Sequence, residues 1–127
     1  MSESREYIKR ERENGSVQIS EDVITAIVAN TVKEVEGVYG LAGNLGGDIA
    51  ALLGQKNNSG IKLVLGEASV AVECDIIVRF NSKIVDVAKN VQEAVASAIL
   101  DMTDVPVDLV NVNVVGVAIP KSAKKAE

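Results

Sequence analysis

The spacing of apolar residues predicts two amphipathic helices. In the stretch RFNSKIVDVAKNVQEAVASAIL, residues 79–100, apolar residues recur every three or four positions and polar residues occupy the other side. The predicted apolar stripe consists of Ile84, Ala88, Val91, Val95, Ala98 and Met102. An earlier helix is predicted from Glu21 to about Glu36, since Ser20 can cap its start and Gly37 can end it. Its predicted apolar side consists of Val23, Ile24, Ile27, Val28, Thr31 and Val35.

Alternation of apolar and polar residues predicts strands over residues 15–19, 61–65, 70–80 and 107–119. The stretch VYGLAGNLGG is consistent with a further short strand and a loop. In the strand over 70–80, one face is apolar and the other is mixed. The apolar face consists of Val70, Val72, Cys74, Ile76, Val78 and Phe80. The mixed face consists of Ala71, Glu73, Asp75, Ile77 and Arg79.

The order β-α-β-β-α-β predicts a two-layer α+β domain, in which both helices pack on one face of a mainly antiparallel sheet. The 127 residues are enough for one domain, and a core of Val, Ile, Leu and Ala is expected because aromatic residues make up only 2%. We expect residues 1–14 to be a charged flexible tail, residues 15–120 to be the domain, and residues 121–127 to be a Lys-rich flexible tail.

The sheet face opposite the helices is the predicted interaction face, because it combines polar with β-branched residues. Its candidate residues are Ile77, Arg79, Asn111, Asn113, Val115 and Val117. An ordinary solvated sheet face is the alternative interpretation. A second candidate is an apolar docking patch of Leu45, Ile49, Leu52 and Leu53, which could equally pack into the core.

Candidate chemistry is sparse, and we expect no catalytic, metal-binding or cofactor-binding residue. The chain has no His, which removes the usual general base and the commonest metal ligand, and its one Cys, Cys74, falls on the predicted core face. Glu73 and Asp75 share a strand face, an arrangement more typical of a solvated surface than of acid–base catalysis. The glycines of GNLGGD lack the following Lys of a phosphate-binding loop.

Charge and hydropathy narrow the partners and the location. Residues 1–14 are neutral and residues 121–127 carry +2, so the net charge of −5 leaves −7 on residues 15–120. An acidic body with few aromatic residues disfavours nucleic-acid binding. A single Cys and the lack of an apolar run of about 20 residues favour a cytoplasmic protein without a membrane span.

Several motifs together resemble the alkaline shock protein family, also called the Gls general-stress or envelope-stress-response family of Gram-positive bacteria. They are G-x-V-x-I-S before the first helix, E-V-x-G-V-x-G after it, V-A-x-x-V-Q in the long helix, and V-x-x-V-N-V-x-V-x-G-V at the end, within residues 15–119. The resemblance implies a non-enzymatic cytosolic domain that serves envelope stress and homeostasis. Some members reach the membrane through a separate anchored partner, and some are linked to fatty-acid synthesis.

These observations favour a protein-interaction or scaffold module of the envelope-stress type, expected to form homo-oligomers and to bind other proteins, including a membrane-anchored one. The first alternative is a regulatory binder of a fatty-acid-synthesis enzyme, which rests on the resemblance alone. The second is a weak binder of phosphate or lipid surfaces through GNLGG and the lysines Lys121, Lys124 and Lys125.

Overall fold

The computed structural model describes residues 7–42 and 60–119 of the chain. The predicted docking patch, Leu45, Ile49, Leu52 and Leu53, and the predicted Lys-rich tail therefore lie outside the described residues. In chain order the elements are β1 (Tyr7–Arg12), β2 (Gly15–Ser20), α1 (Glu21–Glu34), β3 (Val38–Leu41), β4 (Ile61–Leu65), β5 (Val70–Arg79), α2 (Ile84–Thr103) and β6 (Val107–Ala118).

The main sheet is built around β5. Strands β3 and β4 follow one another along one edge of β5, and both run antiparallel to it. Strand β6 runs parallel to β5 along the whole of its other edge, as a crossover through α2 requires. The predicted α+β class with a mainly antiparallel sheet is confirmed, and β6 is an edge strand of this sheet.

Strands β1 and β2 form a separate antiparallel hairpin, which corrects the expected tail. Residues 7–14 were expected to belong to a charged flexible segment, but Ile8 is only 1% exposed and pairs with Ile19 across the hairpin. Arg12 also forms an ion pair with Asp104 at 3.2 Å. A single apolar residue among charged neighbours gives no visible alternation in the sequence, although it suffices to attach the strand to the core.

Helix α1 begins as expected, because the Ser20 hydroxyl accepts a hydrogen bond from the Val23 backbone at 3.3 Å. The helix ends at Glu34, two residues earlier than the expected end, and Gly37 follows with a φ of 95°. Its buried residues include Ile24, Val28 and Val32, each fully shielded from solvent. The expected core position of Val23 is wrong, since this side chain is 47% exposed.

Helix α2 packs through a different set of side chains from the one expected. Every fourth residue is buried, and the set is Val87, Val91, Val95, Ile99 and Thr103. Such an i±4 row winds slowly around the helix axis. The predicted stripe from Ile84 to Met102 follows the axis instead, so its two ends do not face the core. Ile84 is 43% exposed and Met102 is 71% exposed. Buried Thr103 stays satisfied because its hydroxyl donates to the Ile99 carbonyl at 2.6 Å.

The core lies between the helices and one face of the sheet. On β5 the side chains that face the core are Val70, Val72, Cys74, Ile76 and Val78, all at most 1% exposed. Cross-strand neighbours from β4 and β6 continue this layer, for example Leu63 beside Val72 and Val110 on its other side. The predicted alternation along β5 is therefore confirmed up to Val78.

Candidate functional site

The sheet face that points away from the helices is called the outer face here. It is formed by Glu73, Asp75, Ile77 and Arg79 of β5 together with the outward residues of the neighbouring strands. Two regions with different chemistry follow one another along β5. The first half of the strand carries polar groups, and its carboxyl-terminal end carries apolar groups.

The polar half is a hydrogen-bonded cluster of two carboxylates and an amide. Asn113 lies beside Asp75 in the β5–β6 register. Its side-chain nitrogen donates to Glu73 Oε2 at 2.9 Å and to Asp75 Oδ1 at 2.8 Å. Within the described ranges, no group of three or more His, Cys, Asp or Glu side chains could hold a metal ion. The Asn113 amide thus links the two carboxylates of β5 to β6.

The apolar half is a groove of about 820 Å³ at the carboxyl-terminal end of the outer face. Its lining residues are Tyr39, Ala42, Ile77, Arg79, Phe80, Val115, Gly116, Val117, Ala118 and Ile119. Ile77 is the most buried of the large apolar residues there, with 8% exposure, whereas Val115 is 55% exposed and Val117 is 44% exposed. Apolar side chains are therefore open to solvent and lie close together.

Two irregularities in strand pairing lie at the groove. Between β5 and β6, Val114 pairs with Ile76 and Gly116 pairs with Ile77, so Val115 is an additional residue. The β3–β5 register also shifts between Val38 and Gly40, around Tyr39. Bulges of this kind redirect side chains and bend strands. A Cβ at Gly116 would lie 3.5 Å from Ile77 Cγ1, which is ordinary van der Waals contact, so a side chain here would cover more of Ile77.

The groove carries one guanidinium group. Arg79 lies with its Cζ atom 5.6 Å from the centre of the Tyr39 ring, within cation–π distance. Among the residues that the structure describes, no carboxylate forms an ion pair with Arg79. The groove therefore presents positive charge beside apolar surface, although the chain as a whole has a net charge of −5.

Five of the six predicted interaction residues lie on the outer face. Val117 lines the groove, but it pairs with core-facing Val78, because the extra residue Val115 shifts the register. The structure brings Ile77, Arg79, Val115 and Val117 together in the groove. Asn113 belongs to the polar cluster, and exposed Asn111 pairs with Glu73 beside it. Only four of the six candidates therefore share the groove.

The sequence did not indicate Tyr39, Phe80 and Ile119 as groove residues. Phe80 was expected on the core face, but it is 47% exposed, because β5 ends at Arg79 and the chain turns there. Asn81 follows with a left-handed φ of 77°, so the Asn-Ser pair was the available signal for this turn. Tyr39 and Ile119 carried no comparable signal, since strand register decides their position.

Cys74 lies in the core, where its thiol is fully buried. Burial raises the pKa of the Cys74 thiol, and the nearby charges of Asp75 and Glu73 act in the same direction, so that the pKa is about 11 instead of the ordinary 9.0. The thiol therefore stays protonated near neutral pH and lacks the thiolate that nucleophilic catalysis requires.

No helix in the described part of the chain is both long enough and apolar enough to cross a membrane. The fold and the outer face together define a small α+β domain with an exposed apolar groove next to a polar cluster.

The chain belongs to the alkaline shock protein family, whose function is cell envelope-related, since the model of this family matches residues 9–119. The resemblance inferred from the sequence motifs is thereby confirmed.

Similar proteins occur in Bacillus and Streptococcus. The chain is 28% identical to the uncharacterized protein YqhY of Bacillus subtilis (strain 168), covering 89% of this chain and 84% of YqhY. It is 32% identical to the uncharacterized protein Spy1535 of Streptococcus pyogenes serotype M6, covering 87% of this chain and 84% of that protein. Among solved structures, MamM-CTD is similar with a TM-score of 0.48 and 13% identity, covering 75% of this chain and 96% of that one.

Proposed function

We propose that this chain is a non-enzymatic protein-interaction module of the cell-envelope stress response and homeostasis. The observation that carries this proposal is the groove on the outer face, where apolar side chains are exposed together. Scattered exposed apolar residues are ordinary, but contiguous ones beside polar groups are typical of protein contacts. The family's cell envelope-related function supports the choice of process.

The exposed apolar side chains of the groove can supply part of the energy of a reversible contact. Phe80, Val115, Val117 and Ile119 are each between 44% and 55% exposed. Full burial of a Val, Ile or Phe side chain is worth about 1.5 to 3 kcal/mol, so burying the remaining half of several such residues supports association. Part of this energy is offset by the entropy lost on binding, which favours a transient rather than a permanent complex.

The charge in the groove supports a particular chemistry for the partner. Arg79 can bind a carboxylate, and the neighbouring apolar side chains can accommodate an aliphatic or aromatic residue. The proposed ligand is therefore a protein segment that places an acidic residue next to an apolar one. A membrane-anchored protein with such a segment would recruit this otherwise cytoplasmic chain to the membrane surface.

Affinity capture with matched variants tests this function. Tagged full-length wild type, Val115→Asp and Val64→Asp are each captured from the soluble and membrane fractions of the native cells. Val115 is 55% exposed in the groove, whereas Val64 is 48% exposed elsewhere on the outer face, so the two substitutions cost similar amounts of folding energy.

We expect a membrane protein that wild type and Val64→Asp retain and Val115→Asp loses. Retention of the same proteins by all three chains would contradict docking in the groove. If the protein lost from Val115→Asp is a soluble enzyme of fatty-acid synthesis, the regulatory alternative replaces the envelope-tethering one.

A further inference from the structure

At the open edge of the sheet, alternate residues of β6 point their backbone N–H and C=O groups away from β5. The Asp75 N–H donates to the Gly60 carbonyl at 2.8 Å, so the backbone of Asp75 points toward β4. Its neighbours Cys74 and Ile76 consequently point their N–H and C=O groups toward β6. In a parallel pair, only one of two paired residues directs these groups at the other strand. Val112, paired with Cys74, and Val114, paired with Ile76, therefore point theirs away from the sheet.

One contact on β6 supports this assignment. Val110 has the same parity as Val112, and its carbonyl accepts a hydrogen bond from Gln92 Nε2 of α2 at 2.9 Å. A partner from outside the sheet is possible only if the Val110 carbonyl points away from β5. Gln92 thus satisfies the beginning of the edge, whereas the outward groups of Val112 and Val114 have no hydrogen-bond partner among the described residues.

Apart from the bulge at Val115, the open part of β6 lacks the usual protection of an edge strand. Natural edges carry charged residues, especially Lys, or Pro, which discourage pairing with another strand. The hairpin strand β1 follows this rule with Lys9 and Arg10. From Leu109 to Ala118, β6 has neither a charged residue nor a Pro, and Leu109 is 48% exposed. A long, uncharged and partly apolar edge is a template for strand addition.

We propose that a second copy of this chain pairs with β6 in the antiparallel direction, around a two-fold axis at Asn113. Val112 then exchanges backbone hydrogen bonds with Val114 of the partner subunit, and the same pair occurs twice because of the symmetry. An identical strand is a suitable occupant, since the uncharged stretch meets no like charge in its own copy. The pairing satisfies the outward N–H and C=O groups of both valines in each chain.

The pairing of two chains also affects docking. This effect on docking rests on the proposed function, whereas the pairing itself does not. A two-fold axis perpendicular to the sheet joins the two main sheets into one and places both outer faces on the same side. The dimer then presents two grooves to one surface. Two grooves that engage a membrane-anchored partner simultaneously bind more strongly than one through effective concentration.

Solution mass with substitutions at the edge tests the pairing. The wild type is expected to sediment with twice the 13.4 kDa mass of one chain. Val112→Pro removes only an outward N–H, since the ladder bonds to β5 come from its neighbours, and we expect a monomer. Because Pro can also disturb folding, Asn111→Lys is the second variant. Asn111 is exposed and lies beside Glu73 in the strand register, so a lysine here can pair with that carboxylate and leave the fold intact. A lysine on an edge strand opposes the addition of another strand.

Val64→Lys is the matched control, because Val64 lies on the outer face of β4 and away from β6. We expect this variant to keep the dimer mass. A monomeric wild type at every concentration tested would overturn the pairing, as would a dimer that survives in both folded β6 variants. Amide exchange gives a check without substitution: the Val112 and Val114 amides should exchange more slowly as concentration rises, and unchanged exchange would contradict the proposal.

The two proposals fail separately. Val112→Pro leaves all residues of the groove in place, so a folded monomeric variant should still capture the groove partner, only more weakly. Loss of the dimer with retained capture supports both proposals. A wild-type monomer that still captures the partner overturns the pairing alone, and a dimer that captures nothing overturns the groove alone.

Discussion

At the scale of single residues, Gly37 is the described glycine at which an added Cβ would meet the nearest atom. It follows α1 with a φ of 95°, and its carbonyl accepts a hydrogen bond from the Arg79 N–H at 2.8 Å. A Cβ there would lie 2.6 Å from Val87 Cγ2. One glycine therefore allows the chain to leave α1, reach the end of β5 and pass beneath α2. The sequence indicated the end of the helix, but not the contact with Val87, which joins residues far apart in the chain.

Gly37→Ala should destabilise the protein markedly. The left-handed backbone costs a residue with a Cβ about 1 to 2 kcal/mol, and the contact with Val87 adds to this. Gly40→Ala is the control, because a Cβ at Gly40 meets nothing within 4 Å. Denaturant unfolding should show a large loss for Gly37→Ala and a change of at most about 0.5 kcal/mol for Gly40→Ala. Equal effects would contradict the described turn.

Cys74 should make stability depend on pH in the alkaline range. The pKa of its thiol is raised to about 11 in the folded chain from an ordinary 9.0, so the folded state holds a proton that the unfolded state releases. Stability is unaffected by this group below the unfolded pKa and falls as pH rises toward the folded pKa. The loss is about 2 to 3 kcal/mol.

Unfolding measured from pH 8 to 11 in wild type and Cys74→Ala tests this dependence, with the pH range set by the pKa of Cys74. The difference between the two chains isolates the thiol, since all other titrating groups are shared. We expect the wild type to lose stability more steeply than the variant. Parallel curves would show that the thiol is not shielded from solvent.

At the scale of elements, the sequence predicts what depends on local periodicity and fails where register or crossing geometry decides. The alternation in β5 and the cap at Ser20 are local, and both are confirmed. The contact row of α2 depends on the angle at which the helix crosses its neighbours, so the predicted stripe was wrong at Ile84 and Met102. Strand β1 was missed because Ile8 alone among its charged neighbours becomes buried.

A pair of truncations on α2 separates the two sets of side chains. Ile99 is fully buried, whereas Met102 is 71% exposed. Ile99→Ala should cost about 2 to 5 kcal/mol, because it leaves a cavity between helix and sheet. Met102→Ala should change stability by less than about 0.5 kcal/mol. Thermal unfolding of both variants shows which side chain contributes more to stability. A larger effect from Met102→Ala would contradict the observed row and support the predicted stripe.

At the scale of the whole molecule, the groove combines residues whose position could be predicted from the sequence with residues whose position could not. Ile77 and Val115 were candidates because they lie opposite the core-facing positions of their strands. Tyr39, Phe80 and Ile119 join them only through bulges and strand ends, which local patterns do not reveal. The separation of the polar cluster from the groove likewise follows from the β5–β6 register. The proposed function therefore depends on whether the groove contacts another protein.

Photocrosslinking at the two tyrosines tests this claim most directly. Tyr39 lies in the groove and is 52% exposed, whereas Tyr7 lies on the hairpin and is 51% exposed, so they form a matched pair. Benzoylphenylalanine is placed at one or the other in living cells, and adducts are identified by mass spectrometry. We predict that the crosslinker at position Tyr39 forms an adduct with another protein. This adduct should be absent when the crosslinker is at Tyr7, and it should be lost when Val115→Asp is added. No adduct at Tyr39, or the same adducts from both positions, would contradict docking in the groove.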